Sequence, residues 1–233
     1  MKNFIAVCIC VFTLTACETE DLPKNTREPA QNVSPEKPVQ AAQTGESAAP
    51  TESQVFSYIL GKEYGLPSYM NMPSRIGEML DLDAILQGVV DNDALAKDSS
   101  RELQISVEEQ KRVDSYYAKV VEDRIAAGEN AAPIVLAGPF KGGNVILADT
   151  TPMIIKYSYM QGVIMHTMFL GMSRNFGEEF DVHYFIRGIR ESIFAEIDPS
   201  FRKSISKETL SRVNSLYVNR MEAIRKERRN ALQ

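Results

Sequence analysis

Few side chains in this sequence have a spacing suited to chemistry. Asp81 and Asp83 are spaced as a carboxylate pair that could share acid–base work, but an Asp before an apolar helical stripe is also typical of an N-cap, with the second Asp favoured by the helix dipole. His166 and His183 lack the neighbours that would complete the three or four ligands of a metal site. We therefore predict structural roles for these four residues, and no catalytic residue, metal or cofactor.

The three cysteines lie at the amino terminus. Lys2 and an apolar run at 4–15 lead into Leu14-Thr15-Ala16-Cys17, which resembles the lipobox of a bacterial lipoprotein signal. We expect residues 1–16 to be removed as a signal peptide and Cys17 to carry lipid, with a non-lipidated secretory signal as the alternative. Cys8 and Cys10 would leave with the signal, so no thiol would remain for catalysis or a disulfide.

Residues 17–51 contain five prolines among Glu, Thr, Gln, Ser and Ala, with almost no large apolar side chains. Such a composition predicts a disordered tether, because it cannot bury enough surface to offset the entropy of ordering. A lipid on Cys17 would hold the folded part at the periplasmic face of a bacterial envelope membrane. By resemblance to enteric lipoproteins, Glu18 in place of Asp favours the outer membrane.

The net charge of −5 argues against nucleic acid as a partner, since nucleic-acid binding through a broad surface needs an excess of basic residues. One basic cluster does occur near the carboxyl end, at Arg225, Lys226, Arg228 and Arg229. Stabilisation of the helix dipole is the favoured explanation for this cluster, and contact with anionic lipid or a client is the alternative.

An internal repeat organises the rest of the chain. Residues 81–117 align with 181–217 without a gap, and 11 of the 37 pairs are identical. Ordinary composition would give roughly two identities. Identical pairs include one pair of glycines, Gly88 with Gly188, as well as polar residues. The sequence therefore predicts two copies of one unit, and two unrelated helical segments with similar composition are the alternative.

Each copy is predicted to contain three helices, because apolar residues recur at helical spacing. The first copy has helices at 55–65, 82–95 and 106–128, with a break at 67–73 between the first two, and the second copy has helices at 153–172, 182–195 and 206–229. At the third helix, Ser106 fits an N-cap and Glu109 fits the returning arm of a capping box.

The predicted fold class is all-α: two tandem three-helix repeats, at 52–130 and 152–233, joined by a connector at 131–151. Within the connector, short apolar runs at 134–136 and 145–147 are separated by Gly and Pro. A small hairpin and a plain extended linker both fit this pattern, and no glycine-rich phosphate-binding motif is present.

Two sets of residues are candidates for function or packing. A glycine inside a helix costs about 1 kcal/mol relative to Ala, so glycines here predict close helix packing, with ligand contact as the alternative, at Gly61, Gly65, Gly88, Gly162 and Gly188. A second set of flexible apolar side chains predicts either a client-binding surface or a buried seam, and their helical spacing favours the seam. This second set is Met160, Met165, Met168, Phe169 and Met172.

These residues resemble a known family. The run Ser57-Tyr58-Ile59-Leu60-Gly61, the segment 81–91 and a long third helix resemble the amino-terminal helical domain of FKBP-type peptidyl-prolyl isomerases of the macrophage infectivity potentiator kind. The resemblance covers about 52–130. It returns more loosely at 158–162 and 181–191, where His183 and Tyr184 depart from the acidic and small residues of the family pattern.

The resemblance implies an intertwined helical dimer that holds unfolded clients, since catalysis in that family belongs to a separate β-rich FKBP domain. No segment of this sequence is predicted to form that domain, so we expect no isomerase activity. The predicted function is a non-catalytic, lipid-anchored holder of unfolded or assembling envelope proteins, built as an intramolecular pseudo-dimer or as a homodimer. A structural adapter for one specific envelope partner and a residual isomerase-associated role are the alternatives.

Overall fold

The computed structural model describes residues 49–128, 142–198, 200–201 and 203–231. These residues form six α-helices and no strand, which confirms the all-α class and the two sets of three helices. The helices are α1 (Glu52–Ile76), α2 (Leu82–Lys97), α3 (Val107–Ala126), α4 (Met153–Phe176), α5 (Val182–Ile197) and α6 (Lys207–Asn230). The signal segment, Cys17 and nearly all of the predicted tether lie outside the described residues.

The two copies are intertwined. The main packing partner of α1 is α5, and the main partner of α2 is α4. The first helix of each copy thus lies along the second helix of the other copy. The third helices cover this arrangement, α6 against α1 and α3 against both α1 and α4. We call the two main interfaces the α1–α5 seam and the α2–α4 seam.

Short polar side chains begin five of the six helices. Asp81 accepts a hydrogen bond from the backbone N–H of Ala84, so the structure confirms it as an N-cap. Ser106 caps α3 in the same way. A full capping box occurs at α1, where Thr51 and Gln54 bond each other's backbone N–H groups. Because these caps satisfy donors that the helix leaves unpaired, they fix where each helix starts.

The predicted break at 67–73 is wrong. Helix α1 continues through Pro67 and Pro73 and ends only at Gly77, which adopts the left-handed conformation at φ 81°. Each proline removes one helical hydrogen bond and disfavours the helix locally. Tyr69 lies between the two prolines and Ile76 lies beyond them, and both side chains belong to the shared core. Their burial offsets the cost of the prolines.

The capping box predicted at α3 is only half formed. Ser106 accepts from the backbone N–H of Glu109, but the Glu109 carboxylate does not return to the cap. It binds Lys156 of α4 at 2.6 Å and Arg112 of its own helix instead. The Lys156 side chain is buried, so its charge needs a carboxylate partner more than the cap needs a second bond.

The described part of the connector, 142–151, contains no strand, so it is not one arm of a hairpin. It lies instead against the first copy: Val145 donates its backbone N–H to Gln87, and Leu147 donates its own to Gln104. The other apolar run, at 134–136, lies outside the described residues.

Candidate functional site

Four glycines bring the backbones of the two seams into contact. A Cβ atom built on Gly61 would lie 2.0 Å from the Phe185 carbonyl oxygen, and one on Gly162 would lie 1.9 Å from the Ile85 oxygen. The second helices show the reciprocal contacts, because a Cβ on Gly88 or Gly188 would lie 2.1 Å from a carbonyl oxygen of α4 or α1. No side chain larger than hydrogen fits at these four positions. Gly65 differs, since the Ile189 side chain fills the space above it.

Polar contacts repeat across the same pseudo-two-fold arrangement. The Ser57 hydroxyl oxygen accepts the backbone N–H of Asp181 at 2.9 Å, and Ser158 accepts that of Asp81 at the same distance. Each of these serines also donates to its own helix, four residues back. Each seam therefore anchors the N-cap residue of a second helix on the first helix of the other copy.

Two buried tyrosines extend these matched contacts. Tyr58 of α1 donates to Glu191 of α5 at 3.1 Å, and Tyr159 of α4 donates to Asp91 of α2 at 2.9 Å. Burial raises the pKa of both hydroxyls, and the neighbouring carboxylates raise it further. Both tyrosines therefore act as neutral hydrogen-bond donors across the seams.

Glu191 is a buried acid that the sequence analysis did not single out. Burial alone would raise its pKa, but hydrogen bonds from the Ser204 backbone, Arg187, the Ser204 hydroxyl and Tyr58 outweigh burial and lower it. The carboxylate therefore stays ionised inside the protein and ties α5, α1 and the start of the α6 region together. The aligned acidic pair of Asp91 and Glu191 was the available signal in the sequence.

One tyrosine of each third helix bonds a glutamate that follows the first helix of the same copy. Tyr117 of α3 donates to Glu78 at 3.1 Å, and Tyr217 of α6 donates to Glu178 at 2.8 Å. The Tyr217 ring stacks on Phe56 of α1 with ring centroids 3.9 Å apart. Both acceptors lie just beyond the first helix of their own copy, so each third helix is held near the turn that leads to α2 or α5.

The candidate client-binding residues divide into a buried group and an exposed one. Met160, Met165 and Phe169 belong to the core, with Met165 only 2% exposed. Met172 is partly buried against that core. Met168 alone of the five is exposed, at 49%. The structure thus places most of this set in a seam and leaves one member available to a partner.

Met168 extends an exposed apolar strip that the sequence analysis missed. Ile164 lies one turn before it on α4 and is 47% exposed, and Gly171 follows with open space where a Cβ would stand. We call these three residues the α4 strip. In the first helices the two copies are offset by 101 residues, as Gly61 is from Gly162. The equivalent positions on α1 are therefore Glu63, Pro67 and Met70. Of these, Pro67 and Met70 are also exposed, Met70 at 39%, so what α1 lacks is the exposed pair of large apolar side chains one turn apart. The four-residue spacing of Ile164 and Met168 opposite the buried face was the signal in the sequence.

Two further candidate residues, Asp83 and His183, lie at the starts of α2 and α5. Asp83 accepts the backbone N–H of Gly142 at 3.1 Å, and His183 is exposed at the start of α5. Across residues 49–128 and the later described segments, no group of three His, Cys, Asp or Glu side chains is placed to hold a metal ion. Within the same residues, no helix combines the length and apolarity required to cross a membrane.

No protein-family model, curated protein or solved structure matches the chain.

Proposed function

We propose that this chain is a non-catalytic client-holding protein of the bacterial envelope, anchored by lipid on Cys17. In this proposal the two copies form, within one chain, the kind of intertwined pair that the resemblance to the helical domain of the macrophage infectivity potentiator isomerases implies. The pairing of α1 with α5 and of α2 with α4 supports this part of the proposal. The reciprocal contacts of Gly61 and Gly162 support it at atomic detail.

The α4 strip is the observation that carries client holding. Ile164 and Met168 present two large apolar side chains to solvent on a helix whose opposite face is buried. Methionine adapts its shape to different apolar partners because its side chain is unbranched and polarizable. Burying the exposed half of both side chains against a client would contribute about 2 kcal/mol, or roughly 30-fold in affinity.

Suppression of aggregation tests this proposal. Chemically unfolded citrate synthase is diluted into buffer with a stoichiometric amount of the protein, and light scattering is followed. We expect suppression by the wild type and a loss of at least tenfold in potency for the double variant Ile164→Gln, Met168→Gln. The matched control is Val107→Gln, Val218→Gln, which alters two exposed apolar side chains on α3 and α6 and should retain full potency. Failure of the wild type to suppress aggregation would reject the proposal.

An adapter for one specific envelope partner is the second candidate, and the basic end of α6 favours it. Arg225, Lys226 and Arg229 are exposed, while Arg228 donates to Asn175 at 3.2 Å. The equivalent end of α3 carries uncharged residues at 125 and 126. A charge cluster on one copy only suits a single acidic partner. Cross-linking in intact cells separates the two candidates, because many unrelated cross-linked proteins indicate a holder and one dominant partner indicates an adapter.

The lipid anchor is tested separately. We expect the chain to incorporate labelled palmitate in bacterial cells and to fractionate with the outer membrane, and a Cys17→Ala variant to lose both properties. Incorporation of palmitate by the variant would exclude Cys17 as the acceptor.

A further inference from the structure

The α2–α4 seam contains a buried histidine whose two ring nitrogens are unequally satisfied. His166 lies midway along α4 and is fully buried, with Nδ1 3.2 Å from the Asn92 side-chain nitrogen. Its Nε2 lies 3.6 Å from Asp93 Oδ1, and among the described residues it is the one buried side-chain nitrogen or oxygen without a hydrogen bond. An unsatisfied buried group is destabilising, so the packing of the helices does not by itself explain this residue.

The Asn92 side chain fixes the tautomer of the ring. Its Nδ2, which carries two protons, lies 3.3 Å from the Val163 carbonyl oxygen, 3.2 Å from Thr167 Oγ1 and 3.2 Å from His166 Nδ1. The Thr167 proton is already given to the Val163 oxygen at 2.9 Å. The Val163 and Thr167 oxygens are therefore both acceptors, so the NH₂ group and not the amide oxygen must face α4. His166 Nδ1 is then unprotonated, and the single proton of the neutral ring is on Nε2.

A second proton has no place in the closed seam. A proton on Nδ1 would point at the Asn92 NH₂ group, and turning the amide would set its oxygen against the Val163 oxygen. Asp93 and Lys97, both on α2, are the charged groups that face the ring, and Asp93 is already paired with Lys97 at 2.8 Å. Burial lowers the pKa of His166 below its ordinary value, Asp93 opposes this change, and Lys97 adds to it.

The other seam supplies an internal comparison. The positions equivalent to His166, Asn92 and Asp93 are occupied in the α1–α5 seam by Gly65, Ser192 and Ile193. These three residues are buried and none of them titrates. The same helix pairing thus forms without a histidine, which separates the role of His166 from the requirements of the fold.

We propose that the α2–α4 seam is an acid-sensitive gate, which opens more often under mildly acidic conditions because only the opened seam admits a second proton to His166. A solvated histidine titrates near pH 6.5. By linkage, the equilibrium constant for opening rises about tenfold between pH 7.5 and pH 5.5. The α1–α5 seam, which lacks a group that titrates in this range at the equivalent position, stays closed.

Opening would also uncover apolar surface next to the α4 strip. Val163 faces α2 one turn before His166, with its backbone nitrogen 3.1 Å from the position of a Cβ built on Gly88, and Ile164 and Thr167 flank the same surface. Acid would therefore add client-binding surface, a step that rests on the proposed function.

Hydrogen exchange measured by mass spectrometry on the full chain tests the gate. Rates at pH 7.5 and pH 5.5 are corrected for the intrinsic pH dependence of exchange, and peptides from the centre of α4 are compared with peptides from the centre of α1. We expect about tenfold greater opening in α4 at pH 5.5 and no change in α1. An equal rise in both helices would overturn the gate.

A His166→Gln variant removes the titrating group and should abolish the acid dependence of α4 exchange. Retention of that dependence would contradict the proposal. If this variant fails to fold, nitrogen NMR of the wild-type protein measures the protonation state of the His166 ring instead. The signals of the exposed His183 are identified as those that disappear in a His183→Gln variant. We expect the closed state to keep the neutral Nε2–H tautomer at pH 5.5. A doubly protonated His166 ring in a seam with unchanged exchange would overturn the gate.

The step that rests on client holding is tested by repeating the citrate synthase assay at both pH values. Stronger holding by the wild type at pH 5.5, absent in His166→Gln, supports acid-regulated client binding. Faster α4 exchange without stronger holding would retain the gate and reject its link to clients. Absence of holding at both pH values with faster α4 exchange would reject the proposed function and leave the gate intact.

Discussion

Replacing Gly162 by alanine should separate α2 from α4 by a steric clash and destabilise the protein. The added Cβ would lie 1.9 Å from the Ile85 carbonyl oxygen, whereas ordinary van der Waals contact begins at 3.4 Å. The clash is with backbone, so no side-chain rotation relieves it, and α2 and α4 must separate by about 1.5 Å over the packed seam. Overpacking costs about 1–3 kcal/mol, and a clash with backbone that no rotamer relieves belongs at the upper end of that range, at about 3 kcal/mol. The higher helix propensity of alanine returns about 1 kcal/mol.

We therefore expect Gly162→Ala to lower the free energy of unfolding by about 2 kcal/mol, which corresponds to a fall in Tm of about 4–8 °C for a body of this size. Urea denaturation followed by circular dichroism measures the free energy, and calorimetry measures Tm. Gly171→Ala is the matched control, because it lies on the same helix with open space at its Cβ position. That variant should gain up to about 1 kcal/mol from helix propensity.

Equal stability of Gly162→Ala and Gly171→Ala would refute the close backbone contact. Gly61→Ala provides a second check, because its Cβ would meet the Phe185 oxygen at 2.0 Å across the other seam. The pseudo-two-fold arrangement predicts losses for Gly61→Ala and Gly162→Ala that agree within about 1 kcal/mol.

Two further variants test the buried polar contacts of the α1–α5 seam. Tyr58→Phe should lower the free energy of unfolding by about 2 kcal/mol, because it removes a hydrogen bond to the buried Glu191 carboxylate. Tyr64→Phe is the control, because the Tyr64 hydroxyl has no hydrogen bond to any described residue. In the same urea titration, this control should change the free energy of unfolding by less than about 0.5 kcal/mol. Glu191→Gln tests pH dependence: the pKa of Glu191 is lowered by folding, so its contribution to stability is present above its unfolded pKa and is lost as the pH falls through its folded pKa. The stability gap between wild type and Glu191→Gln should therefore be full near pH 6 and narrow as the pH falls below the ordinary glutamate pKa of 4.5, and a gap independent of pH would exclude an ionised Glu191.

The periodicity of apolar residues was sufficient to predict the helices, because a single buried stripe determines each of them locally. The proline break failed for the same reason, since local propensity counted against α1 at Pro67 and Pro73 while the compensating burial of Tyr69 and Ile76 comes from contacts distant in sequence. The lost arm of the α3 capping box has a similar cause. Lys156 lies 47 residues from Glu109, so the sequence around Glu109 does not predict their ion pair.

The choice of partner helices was beyond the repeat itself. Two like copies present like apolar stripes, so α1 could satisfy its stripe against α2 or against α5 with nearly the same local contacts. In the structure α1 packs mainly on α5, whereas α2, which follows α1 after the left-handed turn at Gly77, packs mainly on α4. The glycines nevertheless indicated where backbones would meet, since a buried helical glycine is retained where a neighbouring backbone excludes any side chain.

Asymmetry between the copies was the hardest feature to foresee. His166 replaces Gly65, and Asp93 replaces Ile193, at positions where the two copies are otherwise similar in shape. A repeat alignment scores these as simple mismatches. Their significance emerges only when the two seams bring each mismatch into a buried, closely packed setting.

Isotope-filtered NMR tests the intertwined single chain most directly. Labelled and unlabelled chains are mixed after unfolding and refolding together, and nuclear Overhauser effects are recorded between Phe56 and Tyr217 and between Gly88 and Tyr159. A pseudo-dimer closed within one chain should give strong nuclear Overhauser effects within the labelled chain. It should give none in the filtered spectrum, which reports contacts between chains. Effects that appear only in the filtered spectrum would show that α1 pairs with α6, and α2 with α4, of a different molecule, and would contradict a pseudo-dimer closed within one chain.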